Sequence, residues 1–294
     1  MGNRINTAGY ANTTRIESHN HVPNLTLATV AMHCSNIRDE NLSRIVSITK
    51  EIKQANPAVD LVFMGETLFS WYSPAQHPDI HYHSSETIPG PITARISSLC
   101  KDLGIYICFG MVEKYTVQYF NAQVVIDPDG EIIAVHRKWN LKTNTFTPGK
   151  KPFITIKIKG IRISILICAD AAHPHTMQQL MKTKPDLILL SLADDKDENF
   201  FMSMFNAKLY CRWIATANRF GVEYDHLWNG HIVISNPKGQ LIKRNKGCEG
   251  WLIQEITEIQ NRYPILHLLK NLISRISLFF LILKNWKIAR SYFS

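Results

Sequence analysis

The chain has 294 residues, 45% of them apolar and 19% charged, which excludes a disordered chain, a coiled coil and a collagen-like fibre and is long enough to bury a core without staples. Lys and Arg number 33 against 24 Asp and Glu, a formal charge of +9, but six of those cations stand from Arg262 onward with no acid among them, leaving +3 for the first 261 residues. A positive charge confined to a tail does not read as a nucleic-acid surface, and six Cys without a CxxC pair read as reduced thiols of a cytoplasmic protein.

Residues 1–22 read as a disordered polar leader; the opening MGNRIN is close to a myristoylation site, but Asn6 stands where Ser or Thr is wanted. Residues 25–32 (LTLATVAM) predict a strand, and 41–55 a helix, with Leu42, Ile45, Val46, Thr49 and Ile52 at helical spacing before Asn56-Pro57. A short apolar strand at 61–64 ends at Gly65-Glu66, and a helix at 91–103 stops at Gly104 before a strand at 105–112. Strands at 122–126 and 132–136 flank the turn Asp127-Pro128-Asp129-Gly130, and strands at 153–158 and 161–167 flank Lys159-Gly160. A strand at 187–192, a helix at 198–210 and strands at 213–217, 230–235, 240–242 and 250–255 complete a domain over 23–260. Early α/β alternation and central hairpins predict an α/β protein with two mixed β-sheets and outer helices.

Three polar residues each follow an apolar strand: Glu66 after LVFMG, Lys138 after IIAVHR and Cys168 after ISILI. Strand ends are where α/β enzymes present reactive groups. The segments around them, Gly65-Glu66, His136 to Leu141 and Ile165 to Asp170, resemble the three signature segments of the nitrilase superfamily, the carbon–nitrogen hydrolases. Thr147-Pro148-Gly149, the run from Ala217 to Gly221 and the run from Gly230 to Gly239 resemble further segments of that family, in order, over about residues 25–257.

The resemblance implies a four-layer αββα sandwich that dimerises through helices. Cys168 is then the nucleophile, Glu66 the general base and Lys138 the electrostatic stabiliser, with the backbone N–H of Ala169 as a second oxyanion donor. The substrate is a small linear amide or N-carbamoyl amine, and no metal or organic cofactor is needed. A catalytically silent scaffold and a nitrile-hydrolysing enzyme are the alternatives. These residue types suit the chemistry. An amide carbon is a poor electrophile, sulfur splits its hydrolysis into two easier steps, and the thiol must hand its proton to a base. A nearby cation is expected to favour the thiolate.

Where the family carries a second glutamate, this chain has Lys142, and Ala169, Ala172 and His175 replace other family residues after the nucleophile. Trp71, Tyr72, Lys142, His173 and Asp194 are the pocket candidates. His77, His81 and His83 lack zinc-site spacing and read as part of a loop after Glu66. Asp194, Asp195, Asp197 and Glu198 read as carboxylates capping the helix that follows, with attraction of a cationic amine as the sharper alternative. Residues 261–294 read as a basic amphipathic helix whose apolar stretch, 265–283, covers a partner subunit in a homo-oligomer or lies on a membrane surface.

Overall fold

Strands that are apolar on both faces must be covered on both, and that need sets the layering. A computed structural model describes residues 23–73, 75–196, 199–245 and 247–257; the leader, the tail, Asp197 and Glu198 lie outside them. In chain order the elements are β1 (Asn24–His33), α1 (Arg38–Ala55), β2 (Leu61–Phe63), α2 (Pro78–His83), α3 (Pro91–Leu103), β3 (Tyr106–Tyr115), β4 (Gln118–Ile126), β5 (Ile132–Arg137), β6 (Ile154–Ile158) and β7 (Ile161–Ile167). A 3₁₀ turn (Cys168–Ala172) precedes α4 (Pro174–Thr183), β8 (Leu187–Ser191), α5 (Asn199–Tyr210), β9 (Trp213–Glu223), β10 (His226–Asn229), β11 (Ile232–Ser235), β12 (Leu241–Asn245) and β13 (Gly250–Thr257).

The strand order is β5-β4-β3-β2-β1-β9-β8-β7-β6, with β13 antiparallel to β1 and β10 and β11 on β9. Two layers form because β9 changes partner midway. Its first half runs parallel to β8, Leu187 to Ser191 opposite Trp213 to Ala217, and Asn218 to Phe220 then run parallel to Ala31 to His33 of β1. The two expected sheets are therefore joined through one strand.

Leu25, Leu27 and Phe63 of one layer meet Ile163, Ile165, Leu189 and Ala215 of the other in a shared apolar core. Outside the first layer, Ile45, Ile48 and Ile52 of α1 and Ile92, Ile96 and Leu99 of α3 pack against it; Leu180 of α4 and Ala207 and Tyr210 of α5 cover the second. This is the four-layer αββα arrangement.

Helix α3 keeps its sequence-read limits because its ends are chemically marked. Pro91 needs no N–H partner in the first turn, the Gly90 N–H donates to Thr93 Oγ1 at 2.8 Å, and Gly104 takes φ +62° at the stop. Three readings are corrected. The segment after Glu66, read as a loop, contains the short helix α2. Helix α4 was not expected, because its inward face is only Thr176, Met177, Leu180 and Met181, too sparse for a periodic signal. Strand β9 continues to Glu223 through polar residues that end an apolar run but are satisfied inside the protein. Among the described residues, no helix is long and apolar enough to cross a membrane.

All six cysteines are free, and burial pushes the thiols of Cys34, Cys100 and Cys108 from the ordinary 9.0 to about 12. Unfolded thiols lose protons near 9.0 while folded ones keep them, so this contribution to stability is full below that value and is lost as pH rises toward 12. We expect the Tm, followed by circular dichroism, to fall between about pH 9 and pH 11, and Cys108→Ala to fall less steeply. Parallel curves for the two proteins would remove the cysteine contribution.

Candidate active site

Glu66 sits in the turn that follows β2, where Met64 N–H donates to Cys108 O at 2.9 Å, Glu66 N–H to Leu192 O at 3.3 Å and Leu68 N–H to Gly110 O at 3.0 Å. Its side chain is fully buried. One carboxylate oxygen, Oε1, accepts from Lys138 Nζ at 2.6 Å, Asn121 Nδ2 at 2.6 Å and Tyr72 OH at 2.8 Å. The other, Oε2, is buried with no hydrogen-bond partner among the described residues. Thr67, next in the turn, has φ +44°, a left-handed conformation that costs a non-glycine residue about 1–2 kcal/mol. The turn lies so close to β3 that a Cβ on Gly110 would stand 2.4 Å from Gly65 O and 2.6 Å from Thr67 N.

Lys138 follows β5, its N–H donating to Asn121 O at 2.8 Å and its carbonyl accepting from Gly149 N–H at 2.7 Å. Gly149 is required by space, because a Cβ there would lie 2.1 Å from Arg137 O. Burial works against the Lys138 ammonium, but the Glu66 carboxylate, Tyr72 and Cys168 together outweigh it and hold the group well above the ordinary lysine value. It is charged at every physiological pH.

Cys168 opens the 3₁₀ turn after β7 with φ +44°, the kind of strain that recurs at functional sites. Burial raises its thiol to about 12; Lys138 and Lys142 pull downward, and Glu66 and Asp194 push upward. The expected pull of the cation on the sulfur exists but is outweighed, so the resting group is a neutral thiol, not a thiolate. Asp170, fully buried, ties this turn to the Lys138 loop. Its Oδ1 accepts from Trp139 N–H at 3.0 Å and Asn140 N–H at 2.7 Å, while Oδ2 meets His136 Nε2 at 3.1 Å and Ile167 N–H at 3.3 Å. Asn140 Nδ2 donates to Ala169 O at 2.7 Å, across the same seam.

The other pocket candidates fall into three situations. The Tyr72 hydroxyl donates to Glu66, and Trp71 packs edge-on against Tyr224 at 5.6 Å. Lys142 is exposed, and Asp194 is held by Asn218, which accepts from its N–H at 3.1 Å and donates to its carbonyl at 2.8 Å; the charges of both act on Cys168. His173 caps α4, Nδ1 accepting from His175 N–H at 3.1 Å, with its ring 4.6 Å from that of Trp139. Asp194 Oδ1 accepts from Lys196 N–H at 2.7 Å, so it caps its own loop. Of the three histidines, His81 is buried, accepts from Ser73 N–H at 3.2 Å and is pushed down to about 3 by burial and by Arg219; His77 stacks near Tyr224, and His83 is exposed. Among the described residues, no group of three or more His, Cys, Asp or Glu could hold a metal ion.

Sequence reasoning placed Asp170 and Arg219 within the family-like segments without giving them a task, and it missed Asn121 and Glu223. A polar residue at the end of an apolar strand is the signal that marks Asn121, one residue before the run 122–126.

The family model described as Carbon-nitrogen hydrolase matches residues 26–260. Over 265 residues the chain is 28% identical to the omega-amidase of Mus musculus, covering 82% of this chain and 93% of that protein. Over 231 residues it is 20% identical to the N-carbamoylputrescine amidase of Arabidopsis thaliana, covering 69% and 77%. A mutant of the amidase from Nesterenkonia sp. AN1, solved with the acetamide moiety of fluoroacetamide added at its active-site cysteine, aligns with a TM-score of 0.70 at 19% identity over 79% of this chain and 90% of that one. That last likeness is one of fold.

The close approach at Gly110 is testable. Gly110→Ala must displace the Glu66 turn, and urea unfolding should show a loss of about 1–3 kcal/mol. An unchanged midpoint and slope would mean the turn moves freely.

Proposed function

The chain belongs to the carbon–nitrogen hydrolase family, and on that premise we propose that it is a cysteine-dependent amidase acting on a small linear amide or N-carbamoyl amine through a thioester on Cys168. What supports this most is the convergence on Glu66. Three donors occupy one buried oxygen and leave the other, Oε2, without a partner, so a single site remains where the carboxylate can take a proton.

The Cys168 thiol passes its proton to Glu66 as the sulfur electron pair attacks the amide carbon, because a thiol at about 12 does not ionise beforehand. The carbonyl pair moves onto oxygen, facing the Lys138 ammonium and the Ala169 N–H. One such oxyanion donor is typically worth about 3 kcal/mol of the barrier. When the carbonyl re-forms, the C–N bond breaks and the nitrogen takes the proton from Glu66, leaving as ammonia when the substrate is a primary amide. Glu66 then removes a proton from water, whose oxygen attacks the thioester, and the thiol is regenerated with a carboxylic acid as product.

A carbamoyl amine fits the same course, and one observation favours it: the Asp194 carboxylate acts on Cys168 and so offers a counter-charge to a cationic amine tail. Lys142, acting on the same sulfur with the opposite sign, favours an anionic tail instead.

An ammonia-release screen over neutral amides, anionic ω-amides, carbamoyl amines and nitriles tests the reading. Turnover is expected to fall at least about a thousandfold in Cys168→Ala. Fluoroacetamide should leave one acetamide group on Cys168, seen by peptide mass spectrometry. Turnover that survives Cys168→Ala overturns the mechanism, and none on any substrate favours a silent scaffold.

A further inference from the structure

The turn that carries Glu66 is wrapped around a buried ion pair from β9. Arg219 is fully buried and Glu223 nearly so. The guanidinium has five N–H donors, and each has an acceptor. Nε donates to Glu223 Oε1 at 2.8 Å; Nη1 donates to Glu66 O at 2.9 Å and Thr67 O at 2.8 Å; Nη2 donates to Ser70 O at 2.5 Å and Glu223 Oε2 at 2.9 Å. Glu223 Oε2 in turn accepts from the Tyr72 N–H at 2.8 Å, and the Tyr72 hydroxyl returns to Glu66 Oε1 at 2.8 Å. The pair thus grips the segment 66–72 at four backbone groups, three carbonyls and one N–H, and the last residue it holds is bonded to the carboxylate of the first.

Stability alone is a weak reason for such a pair, since apolar residues of similar volume often do as well. A planar fork that fixes the carbonyls of Glu66, Thr67 and Ser70 at once does something apolar residues cannot: it sets the direction of the backbone from which Glu66 projects. We propose that Arg219 and Glu223 are positioning residues that aim the unpartnered Glu66 Oε2 at the Cys168 thiol. The inference rests on the reading of Glu66 as the base.

Arg219→Lys keeps the charge and loses the fork; Glu223→Gln keeps the shape and loses the charge. The control is Asp186→Asn, an equally buried carboxylate at the opposite ends of β7 and β8, where Asp186 Oδ2 accepts from Arg162 N–H at 2.9 Å. Two readouts are compared: steady-state hydrolysis of a short amide, and the rate at which iodoacetamide alkylates Cys168 at neutral pH, which needs no turnover. The two pair variants are expected to lower kcat about tenfold or more with KM within about twofold, and to slow the alkylation similarly, while Asp186→Asn lowers the Tm but leaves the alkylation within about twofold of the parent. Adding Glu223→Gln to Glu66→Gln should slow the alkylation no further. Alkylation at the parental rate in both pair variants, or a slowing that persists undiminished in the Glu66→Gln background, overturns the proposal. If the parent hydrolyses no amide, the functional reading falls, and the alkylation rates still decide whether the pair aims Glu66.

Discussion

A carboxylate taken wholly out of water is the constraint on which the rest of the site depends. Glu66 has no exposed surface, and an unpaired charge there would be costly enough to neutralise itself. The protein answers with one cation and two neutral donors on the same oxygen, from three separate parts of the chain: Lys138 after β5, Asn121 on β4 and Tyr72 at the end of the Glu66 turn. Removing one partner of a buried ion pair typically costs about 3–5 kcal/mol. Fold and site are therefore not separable here, since β4 and β5 must pair correctly for Glu66 to be tolerated at all.

The same logic runs through the backbone. Asp170 holds the Lys138 loop against the turn that opens with Cys168, and Arg219 holds the Glu66 turn against β9. Asn218, beside Arg219, fixes the Asp194 loop at the end of β8. Each tie joins a segment ending one strand to a segment of another, so Glu66, Lys138 and Cys168 are located by buried polar contacts between loops and not by loop stiffness. Strand β9 supplies two of those contacts because it passes from one layer to the other next to the site.

These ties also explain what could be read from the sequence. The apolar runs of β1, β2, β7 and β8 and the marked ends of α3 are local signals, and Glu66, Lys138 and Cys168 stand out because each interrupts such a run at its end. Arg219 and Glu223 escaped because the groups they hold on the Glu66 turn lie 151 to 153 positions away in the chain, where no local pattern reaches. Strand β9 was cut short at Ala217 for the same reason: Asn218, Arg219 and Glu223 look like the end of a strand until their partners are known. Tyr72 was read from its aromatic ring, and nothing local shows that its hydroxyl meets the Glu66 carboxylate. Helix α4 was missed because only one side of it is apolar, and sparsely.

The balance of charge gives the arrangement its sense. At rest Lys138 faces one anion, Glu66, and the sulfur is neutral because burial outweighs the cation. On the proposed course the carboxylate loses its charge as the oxyanion gains one, so Lys138 passes from one anion to another and never faces two or none. A thiolate formed in advance would place a second anion beside Glu66, and the upward push of that carboxylate on the Cys168 thiol is this repulsion seen from the sulfur. Lys142 belongs to the same account. It stands outside the buried pair, exposed, and lowers the Cys168 thiol only as a minor influence against burial. On the proposed course, a cation at that exposed place leaves the Glu66–Lys138 exchange intact and alters only the charge that a substrate's far end would meet.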